Sequence, residues 1–208
     1  MRILLSVATA VTILAVALLL LITPVWTHFA IGTSGSVAPT GGGQAAIDMS
    51  DRTIGALVTL GSFDFAAADG SPMYTADEAA HMRDVQVVLY GFLLVALASA
   101  VFVVAALVRG SRDASRWRAV SRGGAGLVVG VIALGVFAFV AFDTAFTLFH
   151  EIFFPGGNWA FPAYSHLIQL YPEPFWELSA AALGVLASVG GITIWFLARR
   201  RAAALEAA

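Results

Sequence analysis

Four long runs free of Asp, Glu, Lys and Arg constrain this chain more than any other feature: Ile3 to about Val25, Val85 to Val108, Gly123 to Phe142, and Leu178 to Ala198. A bilayer core takes roughly 20 apolar residues as helix, and each run is long enough. With 60% hydrophobic and only 12% charged residues among 208, the chain lies far outside the soluble norm. The fold class expected is an all-α membrane protein with four transmembrane helices, at about 3–25, 85–108, 123–143 and 178–198. Residues 1–208 are read as a single membrane domain, with a cap formed by 26–84 and 144–177. The first run is about twenty residues and no small-x-small site follows it, so an uncleaved anchor is expected.

Arginine placement orients the chain. There is no lysine, and nine of the eleven arginines fall in three places: Arg2, the 109–122 loop, and Arg199, Arg200 and Arg201. With four spans these segments share one side, which the positive-inside rule makes the cytoplasm. Both termini are then cytoplasmic and the cap extracytoplasmic. Eleven of the thirteen acids, Asp69 among them, lie in or beside the outer segments. Membrane lipid is the partner this composition implies, and no nucleic-acid partner is expected. The absence of cysteine removes disulfides, thiol nucleophiles and thiolate metal sites.

The outer segments carry the chemistry. In the first, Ser50 is expected to cap a short amphipathic helix with Ile54, Leu57, Val58 and Gly61 on one face. Thr75-Ala76-Asp77-Glu78 matches a capping box, opening a helix that passes His81 and runs into the second span. Asp77, His81 and Asp84 would share a face of it. The second outer segment, about 143–177, holds ten aromatic residues, and Pro155-Gly156-Gly157-Asn158 must end the third helix. An aromatic belt at headgroup depth explains some of these rings. Ten of them interleaved with His150, Glu151, Asn158 and Trp159 suggest the wall of a pocket. At ~1.5 Å per residue, a helix unbroken from Gly123 puts His150 roughly 10 Å beyond the bilayer core, and His81 lies about 6 Å outside Val85.

Imidazole suits proton transfer near neutral pH, and ionisable groups this close to hydrocarbon are costly enough to hint at function. His28 and His166 are expected to be packed or hydrogen-bonded residues. His81 has acidic neighbours in Asp77 and Asp84, and His150 is followed by Glu151 with Asp143 two turns before it. H-E-I-F-F lacks the second histidine of H-E-x-x-H, no G-x-S-x-G occurs, and no P-loop or dinucleotide fingerprint is present. No metal and no cofactor are therefore expected. What remains is acid–base chemistry without a protein nucleophile.

H-M-R-D-V at 81–85, F-H-E-I-F-F-P-G-G-N-W-A-F at 149–161 and L-I-Q-L-Y-P-E at 167–173 resemble the bacterial lipoprotein intramolecular transacylase family, whose members are also small four-span proteins with an extracytoplasmic cap. The resemblance implies an acyltransferase acting on diacylated bacterial lipoproteins. The sn-2 acyl chain of the diacylglyceryl group moves to the free amino group of the N-terminal cysteine, giving a lyso-form lipoprotein. Amine and ester then belong to one substrate, which accounts for the missing nucleophile. By the family's motif His81 and His150 are the catalytic pair. His150 takes the amine proton, and His81, tuned by Asp84 or Asp77, serves the oxyanion or leaving group. Asn158, Trp159 and Phe153 are expected to line the site, with Glu151 and Asp84 orienting. Arg83 either meets a headgroup or the peptide, or is an interfacial arginine reaching for water. Two other classes stay open: a b-type haem protein, which would show a Soret band, and a non-catalytic sensor or scaffold, which would tolerate alanine at both histidines.

Overall fold

The structure, a computed structural model, describes residues 1–67 and 70–207, so Asp69, counted among the outer acids, lies outside the described residues. The elements run α1 (Arg2–Leu21), α2 (Pro24–Thr33), β1 (Val37–Ala38), β2 (Gly41–Gly42), α3 (Gln44–Thr59), α4 (Ala76–Arg109), α5 (Ala114–Val140), α6 (Phe142–Phe153), α7 (His166–Leu170) and α8 (Glu173–Glu206). Four of these helices, α1, α4, α5 and α8, are long and apolar enough to cross a membrane. The chain is an all-α, multi-pass membrane protein. A two-residue hairpin pairing Val37 with Gly42 and Ala38 with Gly41 leaves that class unchanged.

Local chemistry sets the boundaries. Thr23 is extended, at φ −74° and ψ 149°, because it precedes Pro24, and Pro24 then opens α2. Thr75 and Glu78 form the expected capping box: Glu78 N–H donates to Thr75 Oγ1 at 3.2 Å, and Thr75 N–H donates to Glu78 Oε2 at 2.7 Å. Two expectations need correction. The third helix does not run unbroken to Pro155. It stops at Val140, and Ala141, at φ −145° and ψ 61°, separates α5 from α6 with no proline or glycine at the break. The depth assigned to His150 assumed continuity and so does not stand. Ser50 caps nothing: α3 begins six residues earlier, after Gly43 at φ +60°, and Ser50 lies fully buried in mid-helix.

The chain divides into two compact units. The first comprises Met1–Leu19, Gly91–Phe137 and Ala181–Ala208. Lipid tails are as apolar as leucine, so helices here must associate through close packing and hydrogen bonds. A Cβ on Gly123 would stand 2.4 Å from the Ser6 carbonyl oxygen, and one on Gly124 would stand 2.5 Å from that of Gly191, so both positions require glycine. Ser6 Oγ donates to the Ala119 carbonyl at 2.7 Å and Ser121 Oγ to that of Trp195 at 3.1 Å. Val101, Val104, Ile132 and Leu134 point outward, as expected of a surface whose solvent is lipid.

The second unit comprises Leu20–Tyr90 and Ala138–Ala180. Its core joins Ile31, Met49, Phe63, Met73, Tyr74, Met82, Leu170, Tyr171 and Phe175. Several polar groups inside it are paired, as burial demands. Thr53 Oγ1 meets the Tyr74 hydroxyl at 2.8 Å, and Ser50 Oγ meets that of Tyr171 at 3.3 Å. The Gln86 amide donates to the carbonyls of Ala56 and Gly61, tying α4 to the end of α3. Burial pushes the Tyr171 hydroxyl up to about 12. These tyrosines are structural.

Candidate active site

His81 sits on the second turn of α4, before the apolar run that begins at Val85, and is only 6% exposed. Its seat is fixed one turn earlier by the buried Glu78. One carboxylate oxygen of Glu78 closes the capping box, and the other accepts the Leu167 N–H at 3.1 Å, joining α4 to the start of α7. Burial works against the charge of Glu78, but these N–H donors and the hydroxyls of Thr75 and Ser165 outweigh it and hold the carboxyl below its usual range. Phe154 and Phe161 present their edges to the imidazole, with centroids 4.8 and 5.7 Å away. His81 Nδ1 is buried with no hydrogen-bond partner among the described residues.

His150 comes from the last turns of α6. Its ring stacks on that of His81 with centroids 6.1 Å apart and planes 29° from parallel. Phe146 and Trp159 flank it at 4.0 and 4.9 Å. Nδ1 lies 2.8 Å from the Phe146 carbonyl oxygen. A carbonyl only accepts, so Nδ1 carries the proton and Nε2 keeps the lone pair of a base. Burial pushes the His81 imidazole down to about 4; His150 adds to the effect, while the Asp84 carboxylate opposes it. Burial also holds His150 below the ordinary imidazole range, against the Phe146 carbonyl. Both rings are thus neutral at physiological pH, one with a defined basic nitrogen.

Beside the pair, the Asn158 amide donates to Asp84 Oδ2 at 2.7 Å, across the turn that Gly157 makes at φ +74°. The two polar residues edge a groove of about 370 Å³ whose apolar walls include Val87, Val88, Phe153 and Phe154.

Comparison with known proteins bears on what such a site belongs to. The family model described as "Lipoprotein intramolecular transacylase Lit" matches residues 61–176, more than half the chain and both histidine blocks. The chain belongs to this family. It is 27% identical over 129 residues to an uncharacterized protein of Aquifex aeolicus (strain VF5), a match covering 62% of this chain and 57% of that protein. The chain thus spans little more than half the length of this curated relative. Its fold resembles the in meso structure of the membrane integral lipoprotein intramolecular transacylase Lit from Bacillus cereus, with a TM-score of 0.80 at 19% identity, covering 100% of this chain and 96% of that one. A histidine-to-arginine variant of the same Bacillus protein matches at TM-score 0.72 and 20% identity, over 96% of this chain and 89% of the other.

Within this transacylase family member, the residues singled out from sequence separate into two sets. His81, His150, Trp159, Asp84, Asn158 and Phe153 converge, Phe153 through the groove and its ring contact with Phe149 at 4.8 Å. Arg83 and Glu151 are exposed. Arg83 is two residues from His81, which turns it about 200° around α4, and Glu151 is turned about 100° from His150. Asp77 is exposed, and Asp84 is the carboxylate that acts on His81. His28 pairs with Asp51 at 2.8 Å, and His166 Nδ1 meets the Met73 carbonyl at 2.7 Å, so both have structural partners. The ten outer aromatic residues were read together as a pocket wall, without Phe146, Phe154 and Phe161 being singled out as the rings against the imidazoles, and the role of Glu78 beyond its cap was missed. The spacing of Phe146 four residues before His150 was the available signal, since it places ring and carbonyl beneath the imidazole.

Proposed function

We propose that this protein moves the sn-2 acyl chain of a lipoprotein's diacylglyceryl group to the free amino group of its N-terminal cysteine. The observation that carries the reading is the neutral imidazole pair from α4 and α6, boxed by aromatic rings, in a member of the transacylase family. Substrate supplies both reactants, so the protein's task is to fold one molecule until amine and ester meet. Well-oriented intramolecular reactions reach effective molarities of about 10⁵–10⁸ M, or roughly 7–11 kcal/mol of barrier.

The α-amino group has a pKa of about 7.7–8.0, so a fraction is already the free base at neutral pH. Its lone pair attacks the ester carbonyl, and the new C–N bond makes the nitrogen's proton strongly acidic. His150 Nε2 takes that proton, with Phe146 holding the tautomer. An N–H of His81 hydrogen-bonds the developing oxyanion; the buried, unpartnered polar atom of this ring leaves it capacity that substrate can fill. The C–O bond to the glyceryl sn-2 carbon's oxygen then breaks, and His150 returns its proton to that oxygen. The products are an amide and a secondary alcohol on one molecule, with no covalent enzyme intermediate. The arginine distribution further favours cytoplasmic termini and a site at the extracytoplasmic interface. Because the chain has no cysteine, single Thr40→Cys and Ser111→Cys reporters read this directly: an impermeant maleimide should label the first and not the second in intact cells.

The test of the reaction is mass spectrometry of a diacylated lipoprotein incubated with and without the purified protein. Conversion to an N-acyl, S-monoacylglyceryl product of unchanged mass is expected, distinguished by fragmentation. Unconverted substrate would refute the reading.

A further inference from the structure

We propose that Asp84 selects substrates by the positive charge of their free amino group, and that the apolar groove beside it receives the adjoining acyl chain. The inference rests on the transacylase reading and names what that site recognises. Three observations carry it. The first is placement: Asp84 and Asn158 form the polar edge of the groove, and Val87, Val88, Phe153 and Phe154 form apolar walls, which suits an ammonium group attached to a lipid. The second is restraint: Asn158 donates to Oδ2 at 2.7 Å, and no hydrogen bond among the described residues reaches Oδ1. One lobe is pinned and the other is open to a donor. The third is unbalanced charge. No arginine lines the groove, Arg83 forms no ion pair with Asp84 among the described residues, and Asp84 is the lining residue with a formal charge.

The consequence is a one-way filter. The substrate amine is a cation before transfer and an uncharged amide after it. A carboxylate at the groove's edge attracts the first and has no charge to meet in the second. Acyl transfer thus removes the contact that brought the substrate in, favouring release of the lyso-form product and rejecting lipoproteins already N-acylated. A purely structural account is also definite: Asp84 and Asn158 would only staple α4 to the 155–158 turn.

The two accounts separate because Asp84→Asn keeps an acceptor for the Asn158 amide and loses the charge, whereas Asn158→Ala cuts the staple and leaves the carboxylate. Displacement of a fluorescent diacyl lipopeptide is measured for three competitors: free amine, N-monomethyl amine, which keeps the charge, and N-acetyl. The wild type is expected to prefer the two cationic peptides over the N-acetyl form by five- to tenfold. In Asp84→Asn that preference falls below twofold, with KM for turnover raised about fivefold. Asn158→Ala keeps most of the preference. A wild type without preference, or an Asp84→Asn variant that retains it, overturns the proposal. Preference without conversion of the free-amine peptide overturns the transacylase reaction instead and leaves the recognition site standing.

Discussion

The first turns of α4 and the last turns of α6 each deliver one imidazole to the same place, on very different supports. On α4, Glu78, Ala79, His81, Met82 and Gln86 are all buried, and Glu78 and Gln86 bond to backbone of α7 and of the α3 terminus. On α6 no residue is buried, and Phe149, Ile152 and Phe153 are exposed. Hydrogen bonds with defined donors and acceptors hold His81; ring contacts and one backbone carbonyl hold His150. Few buried contacts mark the less strongly held element. The contrast assigns rigidity to the ring proposed to meet the oxyanion, where preorganisation counts most, and adaptability to the ring proposed to carry the proton.

The largest effect expected is on catalysis. His81→Ala and His150→Ala should each lower kcat/KM by at least ~10²-fold, the usual contribution of a positioned acid or base. Product quantified by mass spectrometry checks it; a variant keeping more than a tenth of wild-type activity removes that histidine from the mechanism. Next in size is stability. Glu78→Ala strands the Thr75 and Leu167 N–H groups and should cost about 2–4 kcal/mol, whereas Ile152→Ala on α6, an exposed site, should cost under about 0.5 kcal/mol. Thermal unfolding followed by tryptophan fluorescence measures both. Equal losses would end the distinction between the two supports.

Much of this was legible in the sequence, for identifiable reasons. Charge-free runs depend on transfer free energy alone, so the four-helix membrane class followed from them. The Thr75–Glu78 box was readable because its partners are three residues apart. The break at Ala141 was not, since no local signal, neither proline nor glycine, stands there. The same limit hid the second role of Glu78, whose partner Leu167 lies 89 residues away, and the burial of Ser50, whose hydroxyl looks like a cap until Tyr171 is brought against it. His81 and His150 could be ranked by neighbours and motif, but their stacking needed the separate helix α6.

The pH response sharpens the comparison further. The substrate amine itself gives kcat/KM an acid limb of unit slope below about 7.7–8.0; because burial lowers the imidazole of both rings, no second, steeper limb should appear near the ~6.5 of free imidazole. Trp159→Ala admits water beside His150 and should bring that second limb of kcat/KM up toward ~6.5. A limb that stays put would mean that Trp159 does not desolvate the base. Stability follows the same sign. The unfolded chain binds protons first, near ~6.5, so the contribution of His81 to stability is lost as pH falls from there toward about 4, where the folded ring itself titrates.

The smallest effects are expected at the exposed neighbours of the two histidines, and they ask whether helix face, rather than mere proximity in sequence, decides function. Arg83 leaves α4 about 200° around from His81, and Glu151 leaves α6 about 100° around from His150. If Arg83 meets a headgroup or the substrate peptide outside the groove, Arg83→Gln should raise KM two- to threefold and leave kcat unchanged, because an exposed ion pair is worth at most about 1 kcal/mol. That rise should vanish at high salt, where exposed charges are screened. Glu151→Gln should shift KM by less than twofold. A fall in kcat from either substitution would place that side chain at the reacting atoms. That result would require α6 or the start of α4 to turn when substrate binds, and α6, with nothing buried, is the helix on which such a turn would cost least.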